Sequence, residues 1–219
     1  MDDGKEVTCS RIHQILSRLE IYRDPEEVAF KNGLYFFYED GEISSHDNKP
    51  GIVRVGNHPR SQDRLRERLW DHYSPNKNFS VFRKFLGGAL LRSESSNHPC
   101  LQPGLGKGHW EKQDGVVCPK CRPLEERVTR LLREKFTFRC VEIRDKERRN
   151  ELEKKIIGSL SHCPSCKSSV RWLGKYAYSE KVKDYGLWNS NHVGSPDVMS
   201  LQDMKILEKL VDKTLTIGS

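Results

Sequence analysis

The sequence predicts an α/β fold in which a small three-stranded antiparallel sheet is flanked by helices. Two short strand-like segments, 33–38 and 51–56, are separated by a polar stretch that begins with the turn signal Asp40–Gly41. They are expected to pair as a hairpin with a long loop. A third segment, 136–143, alternates in character and predicts the remaining strand. Elsewhere, apolar residues recur at three- and four-residue spacing, which predicts the flanking helices.

The predicted helices begin at residues that commonly start helices. Ser10, Asp145 and Ser200 stand as N-caps, Asp63 precedes another helix, and Pro123 fits a first-turn position. The predicted ranges are 10–20, 63–72, 81–91, a helix beginning at Pro123, 145–160, and a final helix after Ser200.

We predict a single domain over residues 1–219. Residues 1–30 form an N-terminal helical extension, and residues 200–219 form a C-terminal helix and tail. Residues 93–122 lose periodicity and are crowded with Ser, Asn, Pro and Gly through most of their length, which indicates an insertion. Its cysteines would bind zinc together with the segment 161–170.

The chain is basic and carries no membrane signal. Thirty-eight Lys and Arg residues against 31 Asp and Glu give a net charge of +7 and a pI near 9.0. This balance favours a polyanionic partner, although a solvated cationic surface explains it equally well. There is no apolar run of about 18 residues and no signal peptide, so we expect no membrane contact and a cytoplasmic location.

Four of the seven cysteines form two C-x-x-C pairs, Cys118 with Cys121 and Cys163 with Cys166. In a reducing compartment such pairs indicate metal ligation, and four thiolates complete a tetrahedral zinc site. We therefore predict one structural Zn²⁺ shared by both pairs. A redox pair and two unrelated buried thiol pairs are the alternatives. The other cysteines are interpreted as packing residues.

Candidate catalytic residues occur in a fixed order along the chain. Tyr35 lies in the first strand, Arg68 and His72 lie one turn apart on the following helix, and Glu153 lies on the helix after the third strand. Each has an ordinary alternative: a core aromatic, a solvated arginine, a surface histidine or an exposed glutamate. Only their combination and order favour an active site.

This ordered set resembles the GIY-YIG nuclease superfamily over roughly residues 30–192. The first tripeptide of the family is matched by Gly33–Tyr35 and the second by Arg54–Gly56. The arginine helix of the family is matched by Leu65–His72, and its glutamate helix by Leu152–Ile157. Each tripeptide alone is a weak signal, whereas the ordered set is more specific.

The resemblance implies a role for each matched residue in phosphodiester hydrolysis. Tyr35 would position or activate water, and Arg68 with His72 would contact the phosphate. Glu153 would hold a single Mg²⁺ or Mn²⁺ ion.

The chain departs from the family pattern at Arg54, where a tyrosine is usual. Arg54 is therefore a candidate to contact the phosphate or to lower the pKa of Tyr35, or else a structural strand residue. Asn189 is the candidate for the asparagine that often follows the acidic helix in this superfamily, although it could simply form a turn.

These features together predict a divalent-metal-dependent endonuclease acting on DNA, with RNA as the alternative substrate. A non-catalytic nucleic-acid or protein-binding module on the same scaffold is the rival hypothesis. A homodimer or a partner protein would supply target selection, and phage defence, restriction, repair and mobile-element processing all fit the sequence. The predicted nucleic-acid-binding residues are His58, Arg64, Arg83 and Lys84.

Overall fold

The computed structural model describes residues 3–58, 62–95, 98–101, 110 and 121–217. The longer helices are α1 (Asp3–Leu16), α2 (Leu65–Tyr73), α3 (Val81–Glu94), α4 (Arg122–Lys135), α5 (Lys146–Ser161), α6 (Glu180–Tyr185) and α7 (Leu201–Leu215). The strands are β1 (Gly33–Ile43), β2 (Pro50–Gly56) and β3 (Phe136–Glu142). Short 3₁₀ turns lie at Pro25–Glu27, Lys77–Phe79, Pro99–Leu101 and Leu173–Tyr176.

The three strands form one antiparallel sheet in the order β2-β1-β3. Tyr35 in the central strand lies opposite Gly56 of β2 and opposite Cys140 of β3. Helices cover the sheet, so the predicted fold class is confirmed. None of the helices in the described part of the chain combines the length and the apolar character needed to cross a bilayer.

Alternation along β1 divides the core into two layers. Tyr35 and Phe37 face one layer, which is completed by apolar residues of α2, α3 and α4. Leu34 and Phe36 face the other layer, which is completed by α1, α5 and α7. Successive side chains of a strand point to opposite faces, and this central strand is buried on both of them. Its sequence is accordingly a run of apolar and aromatic residues instead of an alternation with polar ones.

Some predicted boundaries were wrong. Helix α1 begins at Asp3, so Ser10 lies inside it rather than at its start. Strand β1 continues through the predicted turn at Asp40–Gly41 to Ile43, which pairs with Pro50 of β2. Gly41 has a φ of +90°, and the register against β2 is irregular here, so the turn signal marks a distortion within the strand.

Other start signals were confirmed. The Asp145 side chain accepts a hydrogen bond from the Arg148 backbone N–H at 2.6 Å and caps α5. Ser200 forms a reciprocal capping box with Asp203 at the start of α7.

A buried ion pair joins the helices on the Tyr35 side of the sheet. Arg83 of α3 donates to a Glu125 carboxylate oxygen from Nε at 3.1 Å and from Nη2 at 2.7 Å. Its Nη1 donates to the His72 carbonyl at 2.9 Å, and the other Glu125 oxygen accepts from the Lys77 backbone N–H at 2.6 Å. Both charged side chains are almost fully buried, so each depends on the other for compensation.

We expect Glu125→Ala to lower the free energy of unfolding by about 3–5 kcal/mol, because it leaves the Arg83 charge buried without its partner. Glu94→Ala is the matched control. Glu94 pairs with Arg127 on the surface, where such pairs contribute about 0–1 kcal/mol. Urea unfolding of the two variants would measure the difference, and equal losses would contradict the structural role of the buried pair.

Candidate active site

Tyr35 occupies the centre of the candidate site because of its register opposite Gly56. The ring of Tyr35 lies so close to Gly56 that a Cβ atom at position 56 would overlap with the phenol. Tyr35 is 1% exposed, and its hydroxyl hydrogen-bonds His72 Nε2 at 2.8 Å. Strand β1 and the glycine of the second tripeptide therefore fix the phenol without help from a flexible loop.

His72 links Tyr35 to the start of α3. Its Nδ1 lies 2.7 Å from the hydroxyl of Ser80, which caps α3 by accepting from the Arg83 N–H. The pKa of His72 is held well below its usual value, first by burial and then by the charges of Arg68 and Arg54. The imidazole is therefore neutral at neutral pH, with one nitrogen able to donate and the other able to accept.

Two guanidinium groups approach the Tyr35 phenol. Arg54 is buried, donates to the Trp188 carbonyl and stacks over the Phe82 ring at 4.9 Å, while its Nε has no hydrogen-bond partner among the described residues. Burial lowers the pKa of Arg54, and its interaction with Tyr35 opposes that shift. Arg54 thus belongs to the cluster around Tyr35 and not to a solvated strand face.

Arg68 reaches the same cluster from α2 and remains accessible to solvent. Its Nη1 donates to Asp71 at 3.1 Å and to the Phe79 carbonyl at 2.7 Å. Interaction with Tyr35 is the main cause that raises its pKa, so the group stays charged. The side chain is 22% exposed, which leaves part of the guanidinium open to an incoming anion.

Glu153 completes the cluster from α5, on the opposite layer of the sheet. Burial raises the pKa of its carboxyl, whereas the Asn57 amide and the charges of Arg54 and Arg68 act against that rise. The side chain is only partly buried. The structure therefore brings together the predicted residues Tyr35, Arg54, Arg68, His72 and Glu153.

Asn57 and Ser80 belong to the site but were not predicted from the sequence. Asn57 directly follows β2, and its Nδ2 donates to Asn150 of α5 at 2.7 Å. Its Oδ1 is buried with no hydrogen-bond partner among the described residues. The signal available for Asn57 was a polar residue directly after a tripeptide that matches the family pattern. The contact of Ser80 with His72 depends on tertiary packing.

Asn189, the candidate for the family asparagine, has its side-chain amide hydrogen-bonded to the backbone of β2. Its Oδ1 accepts from the Val55 N–H at 3.0 Å, and its Nδ2 donates to the Val55 carbonyl at 2.8 Å. The neighbouring Trp188 N–H donates to the Val53 carbonyl at 2.7 Å. The segment therefore covers the outer edge of β2, and the amide of Asn189 is engaged by backbone groups instead of the catalytic cluster.

Three of the four predicted nucleic-acid contacts do not lie on an accessible surface. His58 is buried and accepts from the Gly33 N–H at 3.1 Å. Arg83 is fully buried in its pair with Glu125, and Lys84 is also buried. Only Arg64 is exposed, and it pairs with Glu67 at 2.6 Å. Helical charge patterns did not distinguish buried cations of α3 from a binding face.

The cysteine arrangement also corrects the prediction. Cys163 and Cys166 lie with Cys9 and His46, and the four potential ligand atoms are all within 4.8 Å of one another. Cys121 instead lies beside Cys100, with their sulfur atoms 3.1 Å apart. Cys118 is outside the described residues. Cys163 and Cys166 thus lie with Cys9 and His46, and Cys121 does not join them.

Comparison with known proteins agrees with this geometry. A family model described as GIY-YIG domain matches residues 11–217. No curated protein and no solved structure gives a significant match. The match covers nearly the whole chain and supports a nuclease-type function. This chain belongs to the GIY-YIG family.

We expect Asn189→Leu to expose the edge of β2. The Val55 N–H would lose its acceptor, and its hydrogen exchange would accelerate by roughly tenfold or more, since an unsatisfied buried group costs about 1–3 kcal/mol. Asn191→Leu is the matched control, because Asn191 is an exposed asparagine two residues further on. Amide exchange resolved at Val55 would test the assignment, which fails if the Leu variant keeps normal protection.

Proposed function

We propose that this chain is a divalent-metal-dependent endonuclease that hydrolyses phosphodiester bonds in DNA. The observation that carries the proposal is the convergence of Tyr35, His72, Arg54, Arg68 and Glu153 from three separate elements and a central strand. A scaffold used only for binding has no need to place a buried tyrosine, a buried neutral histidine and two arginines, one buried and one accessible, beside one carboxylate.

The residues around Glu153 suit a hard divalent cation. Glu153 is partly exposed, and the Asn57 side chain interacts with its carboxylate, while the buried Asn57 Oδ1 has no hydrogen-bond partner among the described residues. Mg²⁺ commonly binds one or two carboxylates and keeps several waters, for which such an oxygen is a suitable acceptor. Glu153 would hold Mg²⁺ or Mn²⁺, and the ion would supply charge stabilisation at the reacting phosphate.

The two arginines would have unequal roles at the phosphate. Arg68 is accessible, and Asp71 and the Phe79 carbonyl hold its guanidinium in place. It is therefore the group we propose to contact the scissile phosphate, where a fixed donor fork stabilises developing negative charge. Arg54 is buried behind Tyr35 and would act through the electrostatic potential at the phenol and at Glu153.

Tyr35 and His72 would handle the attacking water. The phenol hydroxyl hydrogen-bonds the neutral imidazole at 2.8 Å. Because the pKa of His72 is lowered, the imidazole would take up a proton only briefly and then return it. Ser80 fixes the other ring nitrogen. We propose that Tyr35 orients and activates the water while His72 positions the phenol and buffers its proton.

Our proposals for the substrate and the cellular setting rest on the net charge and on the cysteine content. The net charge of +7 favours a polyanion, and DNA is our proposed substrate, with RNA as the alternative to be tested. We also propose a cytoplasmic setting, where thiols stay reduced, and target selection by a second copy or a partner protein. A role in defence against foreign DNA is one use of such an activity.

We expect Glu153→Gln to reduce cleavage of supercoiled plasmid in Mg²⁺ by more than about 100-fold, because changes to groups that merely orient a metal ligand already cost 10–100-fold. Glu151→Gln is the matched control. Glu151 lies on the same helix, is exposed and pairs with Lys155 at 2.8 Å, so its loss should leave cleavage within about twofold.

The same assay distinguishes the alternatives. Nicking that requires Mg²⁺ and disappears on chelation supports the nuclease, and parallel digests of duplex DNA, single-stranded DNA and RNA identify the substrate. DNA binding without cleavage under all these metal conditions would favour the non-catalytic binding module. Cleavage by Glu153→Gln at the wild-type rate would remove Glu153 from the site.

The pH profile should reflect the raised pKa of Glu153. Metal binding needs the carboxylate, so activity is present above this pKa and falls as pH drops through it. The acidic limb at subsaturating Mg²⁺ should therefore lie above the range of an ordinary glutamate. Because Arg54 and Arg68 favour the charged carboxylate, Arg54→Gln and Arg68→Gln should both move the limb to higher pH. Arg64→Gln, which removes a surface charge paired with Glu67, should leave it unchanged. An unmoved limb in both site variants would exclude this coupling.

A further inference from the structure

A compact group of thiols and one imidazole lies where three distant segments meet. Cys9 belongs to α1, His46 to the connection between β1 and β2, and Cys163 and Cys166 to the turn after α5. Cys9 and Cys163 are buried, whereas His46 and Cys166 are partly exposed. The group is separate from the catalytic cluster, and the proposed nuclease mechanism does not use it.

The distances within this group match tetrahedral metal ligation. A zinc ion with Zn–S bonds of about 2.3 Å and a Zn–N bond of about 2.0 Å places sulfur atoms about 3.8 Å apart and sulfur and nitrogen about 3.5 Å apart. The Cys9 and Cys166 sulfur atoms are 3.8 Å apart, and Cys163 Sγ lies 3.4 Å from His46 Nε2. A disulfide would need about 2.0 Å between sulfur atoms.

Hydrogen bonds around the group fix the positions of the segments that carry these four side chains. The Cys166 N–H donates to Cys163 Sγ at 3.4 Å, which stabilises negative charge on that sulfur. Ser45, next to His46, donates to the Ser165 carbonyl at 2.7 Å. The Ser165 hydroxyl donates to Glu6 of α1 at 2.5 Å. The turn is thus tied to both partner segments by contacts that are independent of the thiols.

We propose that Cys9, His46, Cys163 and Cys166 form a structural zinc site. Three thiolates and one imidazole fill the four positions of a tetrahedral ion, which leaves no position for substrate or water and indicates a structural role. The ion would join the N-terminal helix, the β-hairpin connection and the end of α5. Since Glu153 also lies on α5, zinc would anchor the far end of the helix that carries the proposed catalytic carboxylate.

Zinc content of the purified chain tests this site independently of nuclease activity. We expect Cys9→Ser and Cys163→Ser each to remove one equivalent of zinc relative to wild type. Cys140→Ser is the matched control, because Cys140 is a buried thiol in β3, outside the group, and should keep the wild-type content. Cys121→Ser should also keep the equivalent that Cys163→Ser removes.

Wild-type zinc content in Cys9→Ser and Cys163→Ser would overturn the proposal. Loss of the same equivalent from Cys121→Ser and Cys163→Ser, with no loss from Cys9→Ser, would also overturn it and restore a site shared by the two C-x-x-C pairs.

A ligand exchange keeps the test decisive if the serine variants fail to fold. The chain reconstituted with Co²⁺ should show the visible bands of a tetrahedral site and sulfur-to-metal charge transfer from three thiolates. His46→Cys retains four ligands but supplies a fourth thiolate, so charge-transfer absorption should rise by about one third. An unchanged spectrum in His46→Cys would show that position 46 is not a ligand and would refute the proposed set.

Discussion

The close packing of Tyr35 against Gly56 is the constraint on which the rest of the site depends. Only a residue without a side chain at position 56 lets the phenol lie across β2. In that position the hydroxyl reaches His72 of α2, and the ring lies within the influence of both Arg54 and Arg68. Gly56 of the second tripeptide therefore both forms part of β2 and leaves the space that the phenol occupies.

Charge balance makes this packing chemically useful. Two guanidinium groups around a phenol and a neutral imidazole create a positive environment, and Glu153 is the carboxylate that both guanidinium groups influence. The same charges that keep the imidazole neutral also favour the ionised carboxylate. Such an excess of positive charge would favour the binding of a phosphate group.

Local patterns predicted the sheet and most helices, because apolar residues recur at the spacing of each element. The members of the central cluster were predicted from the resemblance of the ordered motifs to the GIY-YIG family. The sequence-based predictions failed where tertiary contacts determine burial and hydrogen bonding. The cationic character of Arg83 says nothing of its burial against Glu125, and the amide of Asn189 could not be known to bind β2. Likewise, Cys9 and His46 are separated from Cys163 by long stretches of chain, so only folding brings the four ligand atoms together.

The position of Glu153 depends on both ends of α5. At the beginning, the buried Arg149 donates to the carbonyls of Ile143 and Arg144 at 2.8 and 2.7 Å, which ties the helix to the end of β3. Beyond the end, the turn carrying Cys163 contacts α1 and the β1–β2 connection. Since the other side chains of the cluster come from the sheet and the opposite layer, a small tilt of α5 would separate the Glu153 carboxylate from the arginines. Anchoring at both ends therefore preserves the geometry across the sheet, and the proposed zinc at the distal turn would add to the hydrogen bonds already there.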